Sequence, residues 1–261
     1  MKITLFQQDI VWADVAANQK LAEDAINRVV EQETQQNQPA TDLFVLPEMW
    51  STGFATQPDG VAESDCSSLR WMQQMANRLN AAIAGSIATE DDGKFYNRFY
   101  FVTPMQSAEG AVFASYDKHH LFTYGGEHHR YTAGEDRVVV EWQGVRLLLQ
   151  VCYDLRFPVF SRNRDDYDVA LYVASWPVPR RSAWDALLIA RAIENQCYVC
   201  GVNRVGSDPA CKYNGGTVAI DPYGKVIAAC ADDEVSAITF EVDMPSLMAF
   251  REKFPVLNDR D

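Results

Sequence analysis

From residue 145 to residue 158 the chain reads VRLLLQVCYDLRFP. Val145 to Val151 is a strand-sized apolar run, interrupted by Arg146 and Gln150, and it stops at Cys152. Downstream, the spacing predicts a polar helical segment from Val159, a strand over Val169 to Ala174, a helix over Trp184 to Asn195 and a strand over Cys197 to Val202. Upstream the same order occurs. Lys2 to Gln8 reads as a strand, Ala16 to Glu31 as a helix, Asp42 to Leu46 as a short buried strand, and Ser68 to Leu79 as a helix. That last helix carries Leu69, Met72, Met75, Ala76 and Leu79 on one side. Strands come next at Ala81 to Ala88 and Phe95 to Val102, and an apolar segment runs from Ala111 to Tyr116. Three more β-like segments lie at Thr217 to Asp221, Lys225 to Ala229 and Ser236 to Val242. A strand-helix-strand-helix-strand order met twice, without evident sequence repetition, implies two related α/β halves packed into one domain.

Composition narrows the class. The 261 residues include 36 acidic against 23 basic side chains, a formal charge of −13, which disfavours a partner made of nucleic acid. With 48% apolar and 23% charged residues the chain has material for a sizeable core. No apolar run approaches the roughly 18 residues of a membrane span, and the opening MKITLFQQDIVW has no long apolar signal core. A cytoplasmic protein is expected, with its 6 cysteines held as thiols. No linker divides the chain. The longest irregular stretches, Thr52 to Asp65 and Leu121 to Asp136, adjoin strand ends, where α/β folds build sites. The terminal FREKFPVLNDRD carries two apolar anchors, Phe250 and Phe254, for docking on this subunit or on a partner.

Polar residues come directly after apolar strands at three places: Glu48 after FVLP, Lys118 after ASYD, and Cys152 after LLLQV. In an open α/β sheet the crevice lies at the carboxyl ends of strands, so these three can meet. A thiol attacks a carbonyl carbon as thiolate and needs a base to take its proton, which Glu48 supplies. Lys118 stabilises an oxyanion, joined by the Tyr153 backbone N–H if the chain turns sharply after Cys152. Singly, each residue has a plainer reading: a solvated or capping Glu, a surface Lys, a core Cys.

Read together, LPEMW at 46–50, YDKHHLF at 116–122 and VCYDLRFP at 151–158 resemble, in that order, the motif blocks of the nitrilase superfamily of carbon–nitrogen hydrolases. ASWP at 174–177 and RAIENQCYV at 191–199 extend the likeness over nearly the whole chain. In GGEHHRYTAGE at 125–135, CYDLRFPVFSRN at 152–163, NRVGSD at 203–208 and REKFP at 251–255 the sequence is similar to bacterial omega-amidases, the 2-oxoglutaramate amidases. The resemblance implies a four-layer α-β-β-α sandwich with an internal pseudo-two-fold, spanning 1–261 as one domain. It also implies a homodimer, with the segment from about residue 244 to 261 near its interface. Glu48, Lys118 and Cys152 match the superfamily's catalytic triad, and Glu127 matches a second glutamate that supports it by orienting Lys118 or the substrate amide.

The implied reaction is hydrolysis of the terminal amide of a small 2-oxo dicarboxylic acid monoamide, through a thioester and without metal or organic cofactor. Alternatives within the superfamily are another amide or an N-carbamoyl amino acid, or a deaminated-glutathione-like substrate; outside catalysis, the alternative is an interaction protein on the same fold. Arg156 is expected to pair with a buried carboxylate, with an anionic substrate as its other possible partner. Trp176, Arg180 and Arg181 offer either a wall and anion anchor for the substrate or a loop with a solvated basic pair. His119, His120, His128 and His129 lack the framing of a metal site, and Cys197 and Cys200, spaced CxxC, fall on a strand that separates their sulfurs.

Overall fold

The computed structural model describes residues 1–105 and 113–260. The first half runs β1 (Lys2–Gln7), α1 (Val15–Gln35), β2 (Leu43–Val45), α2 (Ser67–Leu79), β3 (Ala82–Asp91), β4 (Lys94–Val102) and β5 (Phe113–Asp117). Strand β5 is described from Phe113 onward, so Ala111 and the residue after it lie outside the described residues. The second half runs β6 (Val139–Trp142), β7 (Val145–Val151), α3 (Pro158–Ser161), β8 (Val169–Ala174), α4 (Arg181–Asn195) and β9 (Tyr198–Asn203). After it come β10 (Val205–Ser207), β11 (Lys212–Asn214), β12 (Val218–Ile220), β13 (Val226–Ala229), β14 (Ser236–Glu241) and α5 (Met244–Lys253).

Two six-stranded sheets result, ordered β14-β1-β2-β3-β4-β5 and β6-β7-β8-β9-β12-β13, with β10 and β11 as a separate hairpin. In each sheet a central parallel trio, β1-β2-β3 or β7-β8-β9, is flanked by antiparallel strands. The halves therefore correspond strand for strand. The edge strand that completes the first sheet, β14, comes from the far end of the chain.

Side-chain alternation builds the layers. Leu147, Leu149 and Val151 meet Ile3, Leu5, Val45, Phe99 and Phe101 in a core between the sheets, while Leu148, Ala170 and Tyr172 face outward onto Trp184, Leu188 and Ala192 of α4. On the other side Phe6, Phe44 and Ile83 face Ala22 and Ile26 of α1 and Met72 and Met75 of α2. Strands buried on both faces carry near-continuous apolar runs, which is why β7 and β8 stand out in the sequence. Gly201 of β9 lets α4 approach closely, since a Cβ there would fall 2.4 Å from Leu188 and 2.9 Å from Trp184. The four-layer α-β-β-α order matches the expectation.

Three local expectations need correction or addition. The helix expected from Val159 is only the four-residue α3, and the chain between it and β8 is irregular. Asn163 there bonds the Tyr167 and Asn195 carbonyls with its side chain, competing with helical hydrogen bonds. The β6–β7 hairpin turns on Gln143 and Gly144 at φ 50° and 75°, the geometry of a tight two-residue connection. Helix α5 is capped by Asp243, whose carboxylate accepts from the Ser246 N–H. It docks on its own subunit through buried Arg251, which donates to the Gln196 and Tyr167 carbonyls and to Asp168. Phe254 stays largely exposed.

Candidate active site

Glu48 lies past β2, Lys118 past β5 and Cys152 past β7, so both sheets deliver side chains to one point. Glu48, Lys118 and Glu127 are each fully buried. Lys118 Nζ donates to Glu48 Oε1 at 3.0 Å and to Glu127 at 3.1 Å and 2.9 Å. Glu48 Oε2 accepts the Ser175 backbone N–H at 2.8 Å, and Glu127 Oε2 accepts the Phe122 N–H at 2.6 Å. Cys152 begins a tight 3-10 turn, Cys152–Arg156, with φ at 48°, a left-handed conformation costly for a residue with a side chain. The sharp turn that would orient the Tyr153 N–H is therefore present.

Electrostatics give the group its character. Burial disfavours the Lys118 ammonium, but Glu127 and Glu48 outweigh it and hold the lysine's pKa well above its ordinary value. Burial raises the Glu127 pKa, against the pull of Lys118. Burial also pushes the Cys152 thiol well above the usual range, and its hydrogen-bonded neighbour Glu48 pushes in the same direction. A thiol raised in this way holds its proton near neutral pH and becomes nucleophilic only when a base removes it.

Cys152 opens into a cleft of about 290 Å³ walled by Phe54, Phe122, Tyr153, Trp176 and Tyr213. Arg156 and Arg180 also line it. Arg156 stacks over Trp176 and Arg180 over Phe122, each at 5.0 Å, and neither has a carboxylate partner among the described residues. This corrects the pairing expected for Arg156: two aromatic faces, not a buried carboxylate, support these cations. Trp176 lines the cleft, its Nε1 donating to the Arg180 carbonyl at 2.7 Å. Arg181 turns away instead, bound to Asp185 and Asp232, and does not line the cleft.

Several supporting residues escaped the sequence reading. Asn97 donates Nδ2 to Glu48 and Glu127. Asp154, fully buried, accepts from the Val151 N–H, the His120 N–H and the Tyr116 hydroxyl, and pairs with His120 Nδ1 at 2.8 Å. Asn203 fixes the loop after β8 by accepting the Trp176 N–H. Asp154 had a signal, lying two residues past Cys152, whereas Asn97 looks like any polar residue on an alternating strand. His119 meets the Gly134 carbonyl through Nδ1, and no cluster of His, Cys, Asp and Glu among the described residues is placed to hold a metal ion. Cys197 faces α4 and Cys200 the inter-sheet core.

The carbon–nitrogen hydrolase family model matches residues 2–252. Omega-amidase YafV of Escherichia coli strain K12 is 46% identical over all of this chain and 97% of its own length. The 2-oxoglutaramate amidase of Bacillus subtilis is 35% identical over 98% of this chain and 96% of its own. Among solved structures, XC1258 of Xanthomonas campestris, a CN-hydrolase superfamily protein with an arsenic adduct in its active site, superposes with a TM-score of 0.89 at 39% identity, covering 100% of this chain and 97% of that one.

Proposed function

The chain belongs to the carbon–nitrogen hydrolase family, and from that premise we propose that it is an amidase for small 2-oxo dicarboxylic acid monoamides, 2-oxoglutaramate foremost. The observation that carries this reading is the pair Arg156 and Arg180, cations without carboxylate partners among the described residues, in the same cleft as Cys152. An anionic acyl group supplies the missing charge, and the aromatic walls enclose its short carbon chain.

Glu48 takes the thiol proton as Cys152 Sγ attacks the amide carbon. Lys118 Nζ and the Tyr153 N–H hold the oxyanion, while Glu127 keeps Lys118 charged and aimed. Protonated Glu48 gives its proton to departing ammonia, leaving a thioester. Glu48 then deprotonates water for deacylation, so the sequence of steps needs neither metal nor organic cofactor.

We read residues 1–261 as one domain around the inter-sheet core. No helix among the described residues is long and apolar enough to cross a membrane, and the free cysteines support a cytoplasmic setting. A homodimer is supported by the exposed apolar face holding Ile193, Tyr223 and Phe254, 52%, 66% and 60% exposed.

Ammonia release from 2-oxoglutaramate, succinamate, butyramide and butyronitrile, with Cys152→Ala as control, tests the reading. Succinamate should exceed butyramide in kcat/KM by roughly 2 kcal/mol of transition-state binding, about thirtyfold, because the neutral amide leaves the arginines unpaired. The nitrile should be inert. Equal values for succinamate and butyramide would remove the carboxylate anchor.

A further inference from the structure

Glu48 and Glu127 are bridged twice. Lys118 Nζ reaches Oε1 of both carboxylates, at 3.0 Å and 3.1 Å, and Asn97 Nδ2 reaches the same two oxygens at 2.7 Å and 3.3 Å. Donors and acceptors alternate around a closed ring, one donor charged and one neutral. The Asn97 carbonyl also accepts the Lys118 backbone N–H at 3.0 Å, so one residue of β4 touches all three members of the buried charge group.

Asn97 is wholly buried, yet its Oδ1 has no hydrogen-bond partner among the described residues. Rotating the amide would set that oxygen against two carboxylate oxygens and withdraw both donated bonds, so the carboxylates fix its orientation. A buried amide oxygen left unpaired is a local loss that folding alone gives no reason to keep. Oxygen Oε1 of Glu48 is filled by Lys118 and Asn97, while Oε2 accepts the Ser175 N–H and retains a free lone pair.

We propose that Asn97 is a positioning residue of the reaction, which holds Glu48 and Glu127 side by side as anions and directs the Cys152 proton to Oε2 of Glu48. The inference rests on Glu48 serving as the base of the proposed amidase. The other ionisable groups facing the carboxylate pair are Lys118, Cys152 and Tyr131, whose hydroxyl burial keeps neutral. Removing a donor shared by two buried carboxylates disfavours their anionic forms, so the pH below which the site is inactive must rise.

The test compares native protein, Asn97→Ala and Asn97→Asp by two pH profiles. One is the rate of Cys152 alkylation by iodoacetamide, read on the Cys152 peptide by mass spectrometry because Cys66 and Cys211 also reach solvent. The other is kcat and KM for 2-oxoglutaramate. In Asn97→Ala, kcat should fall about tenfold or more with KM little changed, and the acid limb of both profiles should move up by about one pH unit. Its melting temperature should fall by only a few degrees, since Lys118 still bonds both carboxylates and the unpaired oxygen leaves with the donor. Asn97→Asp keeps the shape but must be slower than alanine at neutral pH, because the proton a third carboxylate brings can reside on Glu48. Should alanine not fold, Asn97→Ser must move the acid limb in the same direction. An unmoved acid limb, or an aspartate variant faster than alanine, overturns the role. A native protein inert on every 2-oxo amide but with a shifted alkylation limb in Asn97→Ala would overturn the substrate reading and leave the role of Asn97 standing.

Discussion

Cys152 combines two costs, a backbone at φ 48° and a thiol that burial keeps protonated. Such a conformation costs on the order of 1 to 3 kcal/mol and persists where surrounding contacts over-determine it. Cys152→Ser keeps the same backbone demand and nearly the same volume. It should therefore melt within about 2 °C of the native protein, since ordinary substitutions without packing loss stay near 0.5 kcal/mol. Turnover should fall at least about a thousandfold, because a hydroxyl is a far weaker nucleophile before a single carboxylate base. Ammonia release near the native rate would refute the role given to Cys152. That Glu48, Lys118 and Cys152 come together was legible because each polar residue breaks an apolar strand at its end. Arg156 was misread, since a sequence shows that a cation lies near Cys152 and not that Trp176 will receive it. Asn97 was illegible: KFYNRFYFV alternates like any strand, and nothing local distinguishes the amide facing the site from the side chains facing solvent.

The turn after β7 is held from within and from outside. Asp154 takes the Val151 N–H just before Cys152 and, from the segment bearing Lys118, the His120 N–H and the Tyr116 hydroxyl. That carboxylate ties the end of β7 to the end of β5, hence Cys152 to Lys118. An amide nitrogen accepts nothing, so Asp154→Asn leaves at least one buried donor unpaired and should cost about 1 to 3 kcal/mol of stability. Its kcat should fall with its chemical-denaturation midpoint, as the two strand ends lose their common anchor. A variant with native midpoint and native kcat would show the anchor dispensable. The central strands were legible from apolar runs, and α2 from its one-sided spacing. Strand β6 and the β10–β11 hairpin were not, being short and half-polar, and α3 failed because Asn163 diverts the chain.

Across the whole molecule, Asp168 joins parts distant in sequence: Arg146 at the start of β7 and Arg251 of α5 both bind it. Although burial opposes ionisation, the Arg146 hydrogen bonds prevail and hold its carboxyl below the usual range. A depressed carboxyl contributes stability above its unfolded pKa, about 3.9, and loses that contribution as pH falls through the folded value. Asp168→Asn should thus destabilise clearly at pH 7 and much less near pH 3, measured by urea melts at both. An equal loss at the two pH values would assign the effect to packing and not to charge. The duplicated architecture was legible in the repeated strand and helix order, but the source of the sixth strand of the first sheet was not, because pairing between β1 and β14 is a long-range choice no local pattern encodes. That pairing orders events during synthesis. Until residues 236–241 have been added, β1 has an open edge, although every strand of the second sheet, and Glu48, Lys118 and Cys152, come earlier in the chain. A chain released short of β14 therefore carries Glu48, Lys118 and Cys152 on a scaffold whose first strand is still free to pair with a stranger.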